Sequence, residues 1–227
     1  MSTLPAGARS LDVRLPGGPV HRLIVAVDIE GSTKRNNRAK GELRRALYER
    51  IDQALEGAGI SPGHLEPHTD RGDSVLILIK PHDEVPKTVV LSHLIPMLTA
   101  LLIEHNRAAT RPELRMRLRA VVHAGEIHKD GNGFYGGDLD TAFRLLDSQT
   151  VKKALMKALT SPLVLVISEE IYTGIVEQGY VGNGSYGPLV RVRVGNRQRR
   201  GRIHIPAPMY PASSAVIPQP RDELNRI

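Results

Sequence analysis

The run Leu23-Ile24-Val25-Ala26-Val27, which stops at Asp28, constrains this chain more than any other stretch. Successive apolar residues, most of them branched, read as a buried strand, so the strand ends on a carboxylate. From Asn37 to about Gly57, Leu43, Leu47, Ile51 and Leu55 recur at every fourth position among charged residues. That spacing predicts an amphipathic helix closed by Gly57 and Gly59. A second strand is expected around Leu65 to Thr69 and a third over Val75 to Ile79, with Arg71-Gly72-Asp73 as the turn between them. Asp73 then sits at a hairpin tip.

Val89, Val90, His93, Leu94, Met97, Leu98, Leu101 and Leu102 mark a second core helix, in which Pro96 is expected to remove a hydrogen bond and bend the axis. Leu114, Met116 and Leu118 alternate with Arg115, Arg117 and Arg119, which predicts a strand with one apolar and one basic face running on to His123. Gly136-Gly137 interrupts the pattern before a helix from about Asp138 to Leu146. Helical Val151 to Leu159, a strand Leu163 to Ile167, a helix from Ser168 and strands around Arg191 to Val194 and Arg202 to Ile205 follow.

The order β-α-β-β-α-β with further αβ elements is that of an α+β fold with a ferredoxin-like, split βαβ core. The expected organisation is a flexible N-terminal segment over 1–20, one domain over 21–205 and a Pro-rich, disordered tail over 206–227. A chain of 227 residues with 41% hydrophobic residues suffices for one sizeable core. Having no cysteine, it offers neither disulfides nor thiolate metal sites and suits a reducing compartment, so a cytoplasmic location is expected. No secretion leader is read, and no run approaches the about 18–20 apolar residues of a membrane span. The net charge of +7 raises nucleic acid as a partner. With 4% aromatic residues, no tryptophan and no recognisable nucleic-acid module, that reading rests on charge alone and is the least favoured.

Three segments carry chemistry: Asp28-Ile29-Glu30-Gly31-Ser32-Thr33 after the first strand, Gly72-Asp73 in the hairpin, and Gly136 through Arg144 opening a helix. Carboxylates at adjacent strand tips can share hard divalent cations, and the backbone N–H groups of Gly31-Ser32-Thr33 can cradle phosphate. Such a site suits phosphoryl or nucleotidyl transfer.

Val27-Asp28-Ile29-Glu30-Gly31-Ser32-Thr33, Gly72-Asp73-Ser74, Arg119-Ala120-Val121-Val122-His123-Ala124-Gly125 and Gly136-(x)5-Ala142-Phe143-Arg144-Leu145 together resemble the ordered signatures of class III adenylate/guanylate cyclase catalytic domains over residues 21 to 205. The resemblance implies conversion of a nucleoside triphosphate to a 3′,5′-cyclic monophosphate and pyrophosphate at a homodimer interface, with two Mg²⁺ or Mn²⁺ ions. It implies Asp28, Asp73 and the carbonyl of Ile29 as metal ligands, and Arg144 as the group that stabilises charge on the reacting phosphate. Arg193 falls near the position of the family's triphosphate-binding lysine.

Three positions depart from the family pattern. Thr69 and Gly133 stand where the two base selectors belong, and neither can supply a charged or bidentate contact, so the base is not assigned. Asp140 replaces the asparagine that orients the ribose, bringing a carboxylate toward a polyanion. These departures motivate the alternative of a metal- and nucleotide-binding regulatory domain without turnover. Asp140 and Arg144, four apart on a helix, also suit a plain surface ion pair. His123 reads as a structural histidine, Arg119 as solvated charge on the basic strand face, and the remaining arginines of 191–202 as a solvated hairpin.

Overall fold

A computed structural model of the chain describes residues 18–67, 69–70, 72–182 and 184–209, with Thr69 and Asp70 described by their backbone. The expected N-terminal segment up to residue 17, Arg71 of the expected turn, and the expected tail from residue 210 lie outside the described residues.

The apolar run forms the centre of β1 (Val20–Ile29), and the every-fourth-residue pattern forms α1 (Asn37–Gly57), capped by the Asn36 side chain accepting from the Ala39 N–H at 2.9 Å. Of the strand expected around Leu65 to Thr69, Leu65 makes an isolated bridge to Ile79 and β2 (Thr69–Asp70) pairs with the next strand, while His68 between them lies outside the described residues. β3 (Ser74–Ile79) lies where the apolar run predicts it.

The second core helix is α2 (Lys87–Ala108). By length and composition alone it could cross a membrane, which corrects the expectation that no segment is long and apolar enough. Its apolarity has a local cause: Val90, Leu94, Ile95, Leu98 and Leu102 are buried in the core with residues of α1 and the sheet. Before Pro96, Val90–Leu94 form a wider π turn. The proline's lost donor and its clash with the preceding turn are absorbed there, where a simple bend was expected.

The alternating arginine segment starts as strand only at Leu118, since Pro112–Leu114 form a 3₁₀ turn. β4 (Leu118–Asp130) turns into β5 (Gly133–Tyr135), and α3 (Gly137–Leu146), α4 (Gln149–Lys157) and β6 (Leu163–Ser168) follow. A short α5 (Glu169–Ile171) continues as a π turn over Tyr172–Val176, and β7 (Tyr186–Val194) and β8 (Arg197–His204) close the sheet.

The strand order is β2-β3-β1-β4-β6-β8-β7, with β5 paired to β4. β4 and β6 are parallel, and β1 lies antiparallel between β3 and β4. Strand alternation splits β1 between two cores. Leu23, Val25, Val27 and Ile29 pack with α1 and α2, while Ile24 and Ala26 pack with Leu139, Ala142 and Leu145 of α3. By the same parity, Asp28 projects from the face that α3 covers.

Candidate functional site

β1 carries Asp28 to a position facing Ser74 of β3 on one side and Arg119 of β4 on the other. The Arg119 guanidinium donates a short hydrogen bond to the Asp28 carboxylate, and both side chains are largely buried, 12% and 14% exposed. Burial raises the Asp28 pKa, Arg119 opposes the rise, and the neighbouring charge of Asp73 adds to it, leaving the carboxyl above its ordinary value. This corrects the reading of Arg119 as solvated charge. In the alternating sequence it looks like Arg115 and Arg117, and only the antiparallel register with β1 brings it against a carboxylate.

Asp73 and Ile29 join the same strand end. The Ile29 N–H donates to the Asp73 carbonyl at 3.1 Å, which pins the hairpin tip to the end of β1. Two carboxylates and a backbone carbonyl are hard oxygen donors of the kind that Mg²⁺ and Mn²⁺ accept. Burial and, after it, the neighbouring Asp73 raise the Asp28 pKa, and two carboxylates that repel one another with a carbonyl beside them are a donor set that fits the metals the sequence resemblance implies.

Beyond Ile29 the chain turns at Gly31, whose φ of +66° is the left-handed conformation that glycine takes without cost, into a 3₁₀ turn over Ser32–Lys34. Arg35 fastens that turn by donating to the carbonyls of Glu30, Glu113 and Arg115 at 2.5, 3.1 and 3.0 Å. Gly31 and Thr33 are exposed and Ser32 half-buried, so the turn fronts solvent beside the carboxylates.

Asp140, Arg144 and Arg193 come together. They line one groove of about 390 Å³ with Phe143, Asp147, Val194 and Gly195. Asp140 and Arg144 are both exposed, and among the described residues no ion pair within 4.0 Å joins them. Asp147 links the groove to the carboxylate site, lying 3.8 Å from Arg119 and 2.5 Å from Lys152. Nothing in the sequence marks Asp147 or Lys152, since neither belongs to a motif.

The two positions at which the resemblance implies base selectors are Thr69 and Gly133. Thr69 pairs through its backbone with Leu76 of β3. Gly133 lies at the far end of β4, where Asp130 accepts from the N–H groups of Asn132 and Gly133 at 2.7 and 2.9 Å.

The chain matches no family model, and no curated protein matches it at a significant level. Solved structures do match. The guanylyl cyclase Cya2 superposes with a TM-score of 0.60 at 12% identity, over 84% of this chain and 94% of that one. The catalytic core of a rhodopsin-guanylyl cyclase with converted specificity, in complex with ATPαS, gives 0.57 at 14% identity, over 85% and 98%. The adenylate/guanylate cyclase/hydrolase from Silicibacter pomeroyi gives 0.53 at 16% identity, over 83% and 98%. The chain has the fold of class III nucleotidyl cyclase catalytic domains.

Within this cyclase fold, His123 behaves as a structural residue. It is 2% exposed, its Nδ1 lies 2.8 Å from Ser168 Oγ, and burial lowers its pKa against the opposing charges of Glu170 and Asp138. Asp138 in turn accepts from the Glu126 N–H at 2.7 Å, across Gly125, where a Cβ would stand 2.1 Å from its carboxylate. The arginine hairpin is only partly solvated, which corrects the expectation of a solvated hairpin. Arg202 lies 4.0 Å over the Tyr172 ring and 3.4 Å from Glu169, and Arg199 lies 3.8 Å from Glu170.

Proposed function

We propose that this domain binds a metal-bound nucleoside triphosphate and converts it to a 3′,5′-cyclic monophosphate and pyrophosphate as a homodimer. The observation that carries the proposal is the nearness of the Asp28 and Asp73 carboxylates at adjacent strand ends of a cyclase fold, where the Ile29 N–H bonds to the Asp73 carbonyl and the charge of Asp73 acts on Asp28. Asp28, Asp73 and the Ile29 carbonyl would hold two Mg²⁺ or Mn²⁺ ions, which supply activation of the attacking hydroxyl and charge neutralisation on the leaving pyrophosphate. In the reaction the 3′-hydroxyl oxygen bonds to the α-phosphorus, its proton passes to solvent water, and the bond from the α-phosphorus to the departing pyrophosphate breaks.

The chain's own residues would share the rest of the work. Arg144 supplies a fixed positive charge where negative charge develops on the phosphate, and Arg193 grips the triphosphate. The Gly31–Thr33 turn offers backbone N–H groups to phosphate oxygens. Asp140 lies toward the ribose.

Incubating the chain with each of the four nucleoside triphosphates and Mn²⁺, with product identified by mass spectrometry, is expected to yield a cyclic mononucleotide that Asp28→Ala abolishes. Mn²⁺ is chosen because Mg²⁺ demands near-octahedral coordination. No product above the variant with any triphosphate would refute the proposal.

A second reading has support of its own, the exposed Asp140 carboxylate in the groove beside Arg144. A regulatory domain that binds nucleotide without turning it over would show a metal-dependent rise in Tm with triphosphate and no product.

A further inference from the structure

At the opposite end of β3 from Asp73, another group of ligating side chains converges. Leu65 bridges to Ile79, and Ile79 pairs with Leu23, whereas the carboxylate site lies at Asp28 and Ser74. Five residues of strand, about 16 Å, separate the two ends of β1 in this register.

We propose that His64, His82 and Glu84 form a zinc site that clips the Pro62–His64 turn to the loop after β3. Each residue offers one donor atom within 4.8 Å of the others. His64 Nε2 and His82 Nδ1 each lie 3.8 Å from Glu84 Oε2, and the two rings face one another with centroids 4.6 Å apart. Zinc bonds of about 2.0–2.2 Å at tetrahedral angles place donors about 3.3–3.6 Å apart, so small side-chain rotations close the set.

The donors select the metal. Two imidazoles and one carboxylate, with no thiolate, form the mixed N/O set of three-ligand zinc sites, which keep a fourth position for water. Magnesium, which takes oxygen donors, does not suit them. Glu84 and His82 are open to solvent, 75% and 48% exposed, which leaves room for that water, while His64 is 16% exposed.

The surroundings hold the first ligand in place. Ser61 Oγ lies 3.2 Å from His64 Nδ1, a contact that leaves Nε2 turned toward Glu84. The Lys80 N–H donates to the His64 carbonyl at 2.8 Å, and Lys80 Nζ to the Gly63 carbonyl at 3.1 Å, so the turn and the loop share a frame before any metal arrives. On the other side, His82 Nδ1 accepts from the Glu84 N–H at 3.2 Å, and a metal on that nitrogen would replace this long bond.

The proposal is independent of the nucleotide reading, and its test separates the two. Tag-free chain, stripped with chelator, is titrated with Zn²⁺ by calorimetry and with Co²⁺ by visible absorption. The expected result is a zinc site and the intense bands of tetrahedral cobalt, both retained in Asp28→Ala and both lost in His64→Ala and His82→Ala. Ser61→Ala is expected to weaken zinc about tenfold. At hundredfold excess over Kd, zinc should raise Tm by about 5–10 °C. His82 sits on an exposed loop, so His82→Ala should melt like the parent without zinc, which separates loss of a ligand from loss of fold. Zinc binding that survives His64→Ala/His82→Ala and disappears in Asp28→Ala, or no zinc binding at all, overturns the proposal.

Discussion

Asp28 is a carboxylate that the chain itself satisfies in part. Arg119 supplies one charge-assisted bond, yet burial and Asp73 still leave the carboxyl above its ordinary pKa. Removing Arg119 therefore strips a buried carboxylate of the charged partner it has among the described residues. Arg119→Ala is expected to lower stability by about 3 kcal/mol in metal-free buffer, as for breaking a buried pair from one side. If Asp28 is a metal ligand, Mn²⁺ should recover part of that loss, because a cation then replaces the guanidinium. Urea unfolding with and without Mn²⁺ measures both quantities, and equal losses in the two buffers would place the metal elsewhere. Asp140 poses the reverse problem, an exposed negative charge in a groove that offers Arg144 and Arg193 to an anion but already holds a second carboxylate, Asp147. Asp140→Asn removes the charge at nearly constant size. It is expected to raise turnover by up to about ten- to a hundredfold, since about 1.4 kcal/mol of barrier is a factor of ten. A fall in turnover at unchanged nucleotide affinity would instead make Asp140 a catalytic residue.

At the scale of elements, His123 joins four of them. Its ring on β4 meets Ser168 at the end of β6, with Asp138 of α3 at 3.5 Å and Glu170 of α5 at 3.8 Å. Burial lowers its pKa, and the two carboxylates offset that only in part, so the folded chain keeps the ring neutral where the unfolded chain protonates it. Stability from this residue is complete above the unfolded value of about 6.5 and is lost as pH falls from there toward the lowered folded value. Thermal melts between pH 7.5 and 5.5 should show that decline, and His123→Gln, which keeps a hydrogen-bonding group without titrating, should flatten it. The sequence made much of this scale legible. The buried β1, the periodic α1 and the helix opening at Gly137 follow from local period and glycine placement, which need no tertiary knowledge. What it hid is set by register and packing. Nothing local distinguishes Arg119, paired with Asp28, from Arg115. The late start of β4 reflects the 3₁₀ turn at Pro112, and the π turn before Pro96 shows a helix adjusting its hydrogen-bond ladder to keep packing against α1. The His64, His82 and Glu84 cluster is not legible in the sequence because His64 and His82 are distant along the chain and meet through the backbone bonds that join Leu65 and its neighbours to the end of β3.

At the scale of the whole molecule, the question is whether one chain holds a complete site. In a single chain the carboxylates and the Arg144 groove are contiguous, since Asp147 lines the groove and approaches Arg119, the partner of Asp28. The sequence resemblance instead implies a homodimer with the reaction at its interface, so that Asp28 and Asp73 of one subunit would work with Arg144 of the other. Two-fold symmetry makes these alternatives separable. Asp28→Ala and Arg144→Ala are each expected to be inactive alone. If sites are shared, mixing equal amounts and allowing subunits to exchange makes about half of the dimers mixed, each with one intact and one doubly damaged site, so about a quarter of wild-type activity should return. Activity should also fall on dilution below the dimer dissociation constant, because assembly follows mass action. If each chain instead uses its own Asp28 and Arg144, every site in the mixture carries one lesion and no activity returns at any concentration. Measuring product in the mixture against each variant alone, at two protein concentrations, decides between a site built by one chain and a site built by two.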